Sequence, residues 1–150
     1  MFLSGNQIKK AITNGDFIMS PFEPKNLNGA SYTFTLGNKA KKLKKEMAID
    51  ARDEPEFEEF AIDEGGYEIK PGEFAVFYTR EKINLKGKYV CLLSTRATIA
   101  QMGLDVTQGS FLCEPDTDNP FALEITNKGP LPIRLYPGLK IVKGLFGQVI

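Results

Sequence analysis

The residues able to do chemistry gather in the second half of the chain. Ser94-Thr95-Arg96-Ala97-Thr98-Ile99-Ala100-Gln101-Met102-Gly103-Leu104 sets a lone arginine among hydroxyls and ends on a glycine turn. Glu114-Pro115 follows, and then Ala122-Leu123-Glu124-Ile125-Thr126-Asn127. A guanidinium offers a planar fork of donors that fits phosphate oxygens, so Arg96 reads as a phosphate ligand rather than a surface ion pair. Glu124 sits between two apolar residues of an alternating run and shares a face with Ala122 and Thr126. Beside an apolar pocket, its pKa would rise towards the working range of a general base. The chain has no histidine. Proton transfer near neutral pH therefore falls to a carboxylate, a lysine or a tyrosine, and histidine-dependent triads are excluded. Cys91 and Cys113 lie in apolar, strand-like runs, and without histidine the usual zinc spacings are not available. Both read as buried free thiols.

These groups need a scaffold, and 150 residues with 42% hydrophobic and 25% charged side chains suit one soluble globular domain, here residues 1–150. Lysine plus arginine balances aspartate plus glutamate at 19 each, so no net field steers polyanions and nucleic acid is not an expected partner. No apolar run reaches the ~18 residues of a membrane span. The first residues, Met1-Phe2-Leu3-Ser4-Gly5-Asn6, do not resemble a signal peptide, so a cytoplasmic location is expected.

The spacing of Ile8, Ala11 and Ile12 predicts a short N-terminal helix, capped by Ser4 or Asn6 and ended by Asn14-Gly15. Strands are expected over 16–20, 30–36, 67–69, 73–79, 83–85, 89–93, 106–113, 121–126, 131–135, 139–142 and 145–149. Turns are expected at Gly37-Asn38 and across Pro115 to Pro120. Thr98 to Met102 forms at most one helical turn, stopped by Gly103. The lysines from Lys39 to Lys45 and the acidic run from Asp50 to Glu59 read as a solvated hairpin with its opposite charges facing. A basic patch for polyphosphate is disfavoured, because no aromatics interleave with the lysines. Any helix across Ala40 to Met47 is marginal. Short strands with frequent turns indicate an all-β sandwich or barrel.

The order of motifs along nearly the whole chain resembles the dCTP deaminase/dUTPase family. Leu3-Ser4, Pro21-Phe22 and Ala30-Ser31-Tyr32 through Leu36-Gly37 resemble its entry segment, Ile69-Lys70-Pro71-Gly72-Glu73-Phe74 its central turn, and Leu135-Tyr136-Pro137-Gly138-Leu139-Lys140-Ile141 its closing strands. Arg96-Ala97-Thr98-Ile99-Ala100 is similar to the family's Arg-Ser-Ser-Leu-Ala phosphate motif. Arg96 matches, Thr98 keeps a hydroxyl, Ala97 replaces the first serine, and Gln101 stands where deaminases carry a second arginine. Glu114-Pro115 occupies the place of an aspartate-proline pair, and Glu124 that of the glutamate which shuttles protons at the base.

The resemblance implies a distorted jelly-roll-like β barrel with a short N-terminal helix, assembled as a homotrimer. It implies a pyrimidine deoxynucleotide as ligand and metal-independent hydrolytic deamination of dCTP to dUTP. Glu124 and Glu114 would be the catalytic residues, with Arg96, Thr98 and Gln101 binding nucleotide. No tightly bound cofactor or protein-held metal is implied, although Mg²⁺ can accompany the triphosphate. With Ile150 last, no tail of the kind that closes over the triphosphate in many relatives is expected. Two alternatives stand beside this reading. One is a dUTPase-type pyrophosphatase using Glu114 as base. The other, motivated by Ala97 and Gln101, is a nucleotide-binding relative without catalysis.

Overall fold

The structure is a computed structural model that describes residues 1–45 and 48–150. Helix α1 (Gly5–Thr13) opens the chain, followed by β1 (Ile18–Ser20), β2 (Tyr32–Leu43), β3 (Phe57–Ala61), β4 (Tyr67–Ile69), β5 (Phe74–Asn84) and β6 (Tyr89–Thr95). One helical turn, α2 (Ala97–Gln101), leads to β7 (Leu104–Asp105), β8 (Leu112–Cys113), β9 (Asp118–Asn127), β10 (Ile133–Leu135) and β11 (Lys140–Gln148). The Ser4 hydroxyl accepts the Gln7 amide and the Gln7 side chain accepts the Ser4 amide, a reciprocal cap that sets the start of α1. Among the described residues no helix is long and apolar enough to cross a membrane.

The strands form an antiparallel sheet in the order β7-β9-β5-β2-β11-β6-β8, with β1 on β5 and β3 on β2, while β4 and β10 make a separate pair. The sheet curls into a half-barrel. Its concave face holds an aromatic stack, with Phe17 and Phe146 parallel at 4.8 Å and Phe34 edge-on to Phe121 at 5.3 Å. Alternation does most of the sorting. On β9, Phe121, Leu123, Ile125 and Asn127 are buried, while Ala122, Glu124 and Thr126 take the other face.

Several strands differ from expectation. β2 runs through Gly37-Asn38 to Leu43, because the break is a bulge: between the Leu36↔Thr79 and Ala40↔Phe77 pairs, residues 37–39 face Tyr78 alone. Gly37 suits this close approach, since a Cβ would lie 3.1 Å from the Tyr78 carbonyl oxygen. Ala40 to Leu43 are therefore strand, and Met47 lies outside the described residues. Residues 106–111 do not extend a strand. The Asp105 carboxylate accepts the Thr107 and Gln108 amides, and Gln108 and Gly109 turn at φ 49 and 85. Asp118 to Pro120, expected as turn, belong to β9, and Pro120 sits beside the register shift on β5, where a missing N–H is tolerated. The facing-charge hairpin is present: Lys41 pairs with Glu59 and Lys42 with Glu58. Cys91 is buried and Cys113 half-buried, opposite each other in the β6–β8 ladder, and both are free.

One buried carboxylate holds the irregular centre together. Glu81 is 1% exposed, and it accepts the Thr35 amide at 2.7 and 3.1 Å and the Thr35 hydroxyl at 2.9 Å. Nearby, β11 bulges between Lys140 and Val142. Burial raises the Glu81 pKa, against the lowering effect of the Thr35 bonds. The folded pKa lies above the unfolded value, so the native state binds more protons between the two and stability falls as pH rises through that window. Urea unfolding across pH 4 to 8 should show the difference between Glu81→Gln and wild type moving in favour of glutamine as pH rises; a pH-independent difference would contradict the burial argument. A second test concerns Gly144, where a Cβ would lie 2.5 Å from Phe34 Cε2 and 2.7 Å from Cys91 Sγ. Phe34 and Cys91 are wholly buried, so Gly144→Ala should cost about 1–3 kcal/mol by overpacking, read from the same unfolding curves.

Candidate active site

Glu124 reaches its position through strand pairing. It stands opposite Val76 on β5, and Val76 stands opposite Lys41 on β2. The three form a row across the outer face of the sheet, with Lys41 and Glu124 about 10 Å apart at the backbone. Residues 49–55, between β2 and β3, form a segment that lies over this face. Ile49, Ala51, Asp53 and Pro55 from that segment, with Phe57, Phe74 and Val76 from the sheet, line an open pocket of ≈ 440 Å³ shared by Lys41 and Glu124.

The electrostatics follow from this partial cover. Glu124 is half-buried, and its Oε2 is shielded from solvent with no hydrogen-bond partner among the described residues. Burial raises its pKa, while its own backbone N–H and the charge of Lys41 pull it partway back. An orphaned carboxylate oxygen in an apolar cavity is poised to take a proton or accept a hydrogen bond from a ligand. Cys113 feels the same charge: burial first, and then Glu124, push its thiol up to about 12. It is therefore a protonated thiol and a poor nucleophile. Lys41 Nζ lies 4.2 Å above the Phe57 ring, an arrangement that fixes the ammonium against an apolar wall.

The other expected site residues lie elsewhere. Arg96 caps α2, its amide donating to the Ile141 carbonyl at the β11 bulge at 3.0 Å, and its carbonyl accepts the Ile99 and Ala100 amides. Its side chain is half-buried, and those of Thr98 and Gln101 are exposed on α2. Glu114 is exposed on the turn after β8, where its carbonyl accepts the Thr117 amide at 3.0 Å. None of these four lines the cavity that holds Glu124. Among the described residues no group of three or more acidic, cysteine or histidine side chains could hold a metal ion.

Lys41 and the covering connection escaped the sequence reading. The lysine run shows no interleaved aromatics, yet Phe57 and Phe60 reach under Lys41 and Lys42 from the facing strand. Glu81 escaped as well, although the alternation Thr79, Glu81, Ile83, Leu85 already places it on the buried face.

Comparison with known proteins agrees with this architecture. A family profile described as dCTP deaminase-like matches residues 2–149. The chain is 28% identical over 152 residues to a dCTP deaminase, dUMP-forming, of Methanothermobacter thermautotrophicus, covering 96% of this chain and 77% of that protein. It is 30% identical over 149 residues to the protein of the same name from Dictyoglomus thermophilum, covering 94% and 77%. In structure it is similar to 2'-deoxycytidine 5'-triphosphate deaminase from Agrobacterium tumefaciens, with a TM-score of 0.75 at 14% identity, over 99% of this chain and 48% of that one. It is also similar to the dUTPase of Staphylococcus bacteriophage 80alpha, with a TM-score of 0.58 at 12% identity, over 89% and 90%. The two structural likenesses bear on the fold, and the profile match bears on descent: the chain belongs to the dCTP deaminase-like family.

Proposed function

We propose that this protein is a dCTP deaminase-type hydrolase with Glu124 as its general base and acid. The observation that carries the reading is the unpartnered, shielded Glu124 oxygen inside an apolar cavity. In the ionised state Glu124 would take a proton from water as the water oxygen bonds to C4 of the cytosine ring. The same carboxyl would return that proton to the 4-amino group as the C4–N bond breaks, releasing ammonia and leaving a uracil ring. The chemistry needs no metal at the reacting carbon, which sets it apart from zinc-dependent deamination. Phe74, Val76 and Ala122 supply the apolar walls against which a planar base can lie.

The product distinguishes two versions of this reading. Deamination alone yields dUTP. The relatives from Methanothermobacter and Dictyoglomus are named as dUMP-forming, and that outcome adds cleavage of the phosphate chain. The dUTPase-type alternative would place the base at Glu114, whose exposed position on a turn gives it no enclosed pocket. The reading includes a cytoplasmic homotrimer acting on a pyrimidine deoxynucleotide, in which Arg96, Thr98 and Gln101, absent from the lining of Glu124's pocket, would meet it from a second copy.

Purified protein incubated with dCTP and Mg²⁺ should release ammonia, and Glu124→Gln should lower the rate by roughly 10²- to 10⁴-fold. Unimpaired ammonia release in that variant would remove Glu124 from the mechanism. Diphosphate appearing with the ammonia separates dUMP formation from dUTP formation. Because the base must be ionised and its pKa is raised, kcat/KM should fall as pH drops through that raised value, at a higher pH than an exposed glutamate would give. A profile flat down to the ordinary carboxylate range would contradict the assignment.

A further inference from the structure

Two groups of opposite charge share the Glu124 pocket without closing on each other. Lys41 is the only cation lining it among the described residues. Val76 stands between Lys41 and Glu124 in the cross-strand row. Glu59 faces Lys41 directly from β3, yet among the described residues Lys41 forms an ion pair with neither carboxylate. Two rings account for this. Lys41 Nζ lies 4.2 Å from the centroid of Phe57 on β3 and 6.0 Å from that of Tyr78 on β5, so aromatic faces on both flanking strands hold the ammonium. Glu124 Oε2, shielded from solvent, is left without a partner among the described residues.

That separation suits a base. A carboxylate bonded directly to an ammonium is a weakened base, and one under apolar cover with no cation nearby takes up a proton and becomes neutral. A cation held short of contact favours the charged form and leaves the oxygen free. We propose that Lys41 is a positioning residue for the reaction assigned to Glu124: its ammonium, held off by Phe57 and Tyr78, keeps the carboxylate charged while Oε2 stays free to take a proton from water. The proposal deepens the deaminase reading and rests on it for the identity of the proton donor. The other titratable groups facing Glu124 do not substitute. Asp53, from residues 49–55, has the wrong sign, and Cys113, from β8, is a protonated thiol. The field of Lys41 accordingly opposes the effect of burial on the Glu124 pKa.

NMR titration of the Glu124 carboxyl carbon, in protein labelled at its glutamate carboxyls, tests this without turnover; the relevant signal is the one lost in Glu124→Gln. In Lys41→Met, which keeps an apolar stem against Phe57, the midpoint should rise by roughly half a pH unit or more. Lys41→Arg should restore it, and raised salt should narrow the difference. The acid limb of kcat/KM for ammonia release from dCTP should move with the carboxyl. A purely structural role for Lys41 would lower the rate at every pH and leave the limb in place. Tm checks the fold, with Lys41→Gln as a second neutral variant. An unmoved midpoint in the neutral variants, or a shift that arginine does not reverse, overturns the proposal. If the midpoint moves as expected while wild-type protein fails to deaminate dCTP, the control of Glu124 by Lys41 stands and the deaminase reading falls. If dCTP is deaminated and neither midpoint nor limb moves, the reverse holds.

Discussion

Phe121, Leu123, Ile125 and Asn127 fill the inner face of β9, and a strand with one face in the core has to turn its remaining side chains outward. Glu124 is held outside the core by its neighbours. A slip of one residue would bury its carboxylate and expose Leu123, two costs that reinforce each other. Asn127 adds a pin at the end of the strand. Its Nδ2 donates to the carbonyls of Ile69 at 3.0 Å and Leu131 at 2.8 Å, and its Oδ1 accepts the Gly129 amide at 3.0 Å. Register, core packing and the placement of the carboxylate are one constraint seen from three sides.

Outward placement alone would leave Glu124 an ordinary solvated acid. What changes its chemistry is the cover contributed by residues between β2 and β3, together with the aromatic residues Phe57 and Phe74. Desolvation then outweighs the attraction of Lys41, which is two strands away and engaged with the Phe57 ring. The cysteine pair in the β6–β8 ladder answers to the same balance: with water excluded, both thiols stay protonated. In this fold the ionisation of a strand carboxylate is set by what packs over it, more than by residue type.

Much of this was legible from local patterns. The Ser4 cap, the alternation around Glu124 and the single turn after Arg96 are local features, and local chemistry decides them. The misread places are those where tertiary contacts override a local signal. Gly37-Asn38 looks like a chain reversal, yet the strand passes through it because Gly37 lets the backbone approach the Tyr78 carbonyl. Val106 to Ser110 forms a turn, not a strand, as the Asp105 side chain captures the Thr107 and Gln108 amides. The relation of Arg96 to Glu124 was not legible at all. It depends on how the junction of β6 and α2 and the β9 face are disposed in space, and no spacing along the chain encodes that.

The cover over Glu124 hangs between β2 and β3, which already pair with each other from Lys39↔Ala61 to Leu43↔Phe57. Its ends are thus held together by the hairpin whatever lies between them, and the entropy of closing such a segment grows only slowly with its length. Insertions or deletions here would reshape the roof of the chamber while leaving every ladder bond of the floor in place. The fold thereby separates a ladder that must not change from a segment that can be re-cut cheaply.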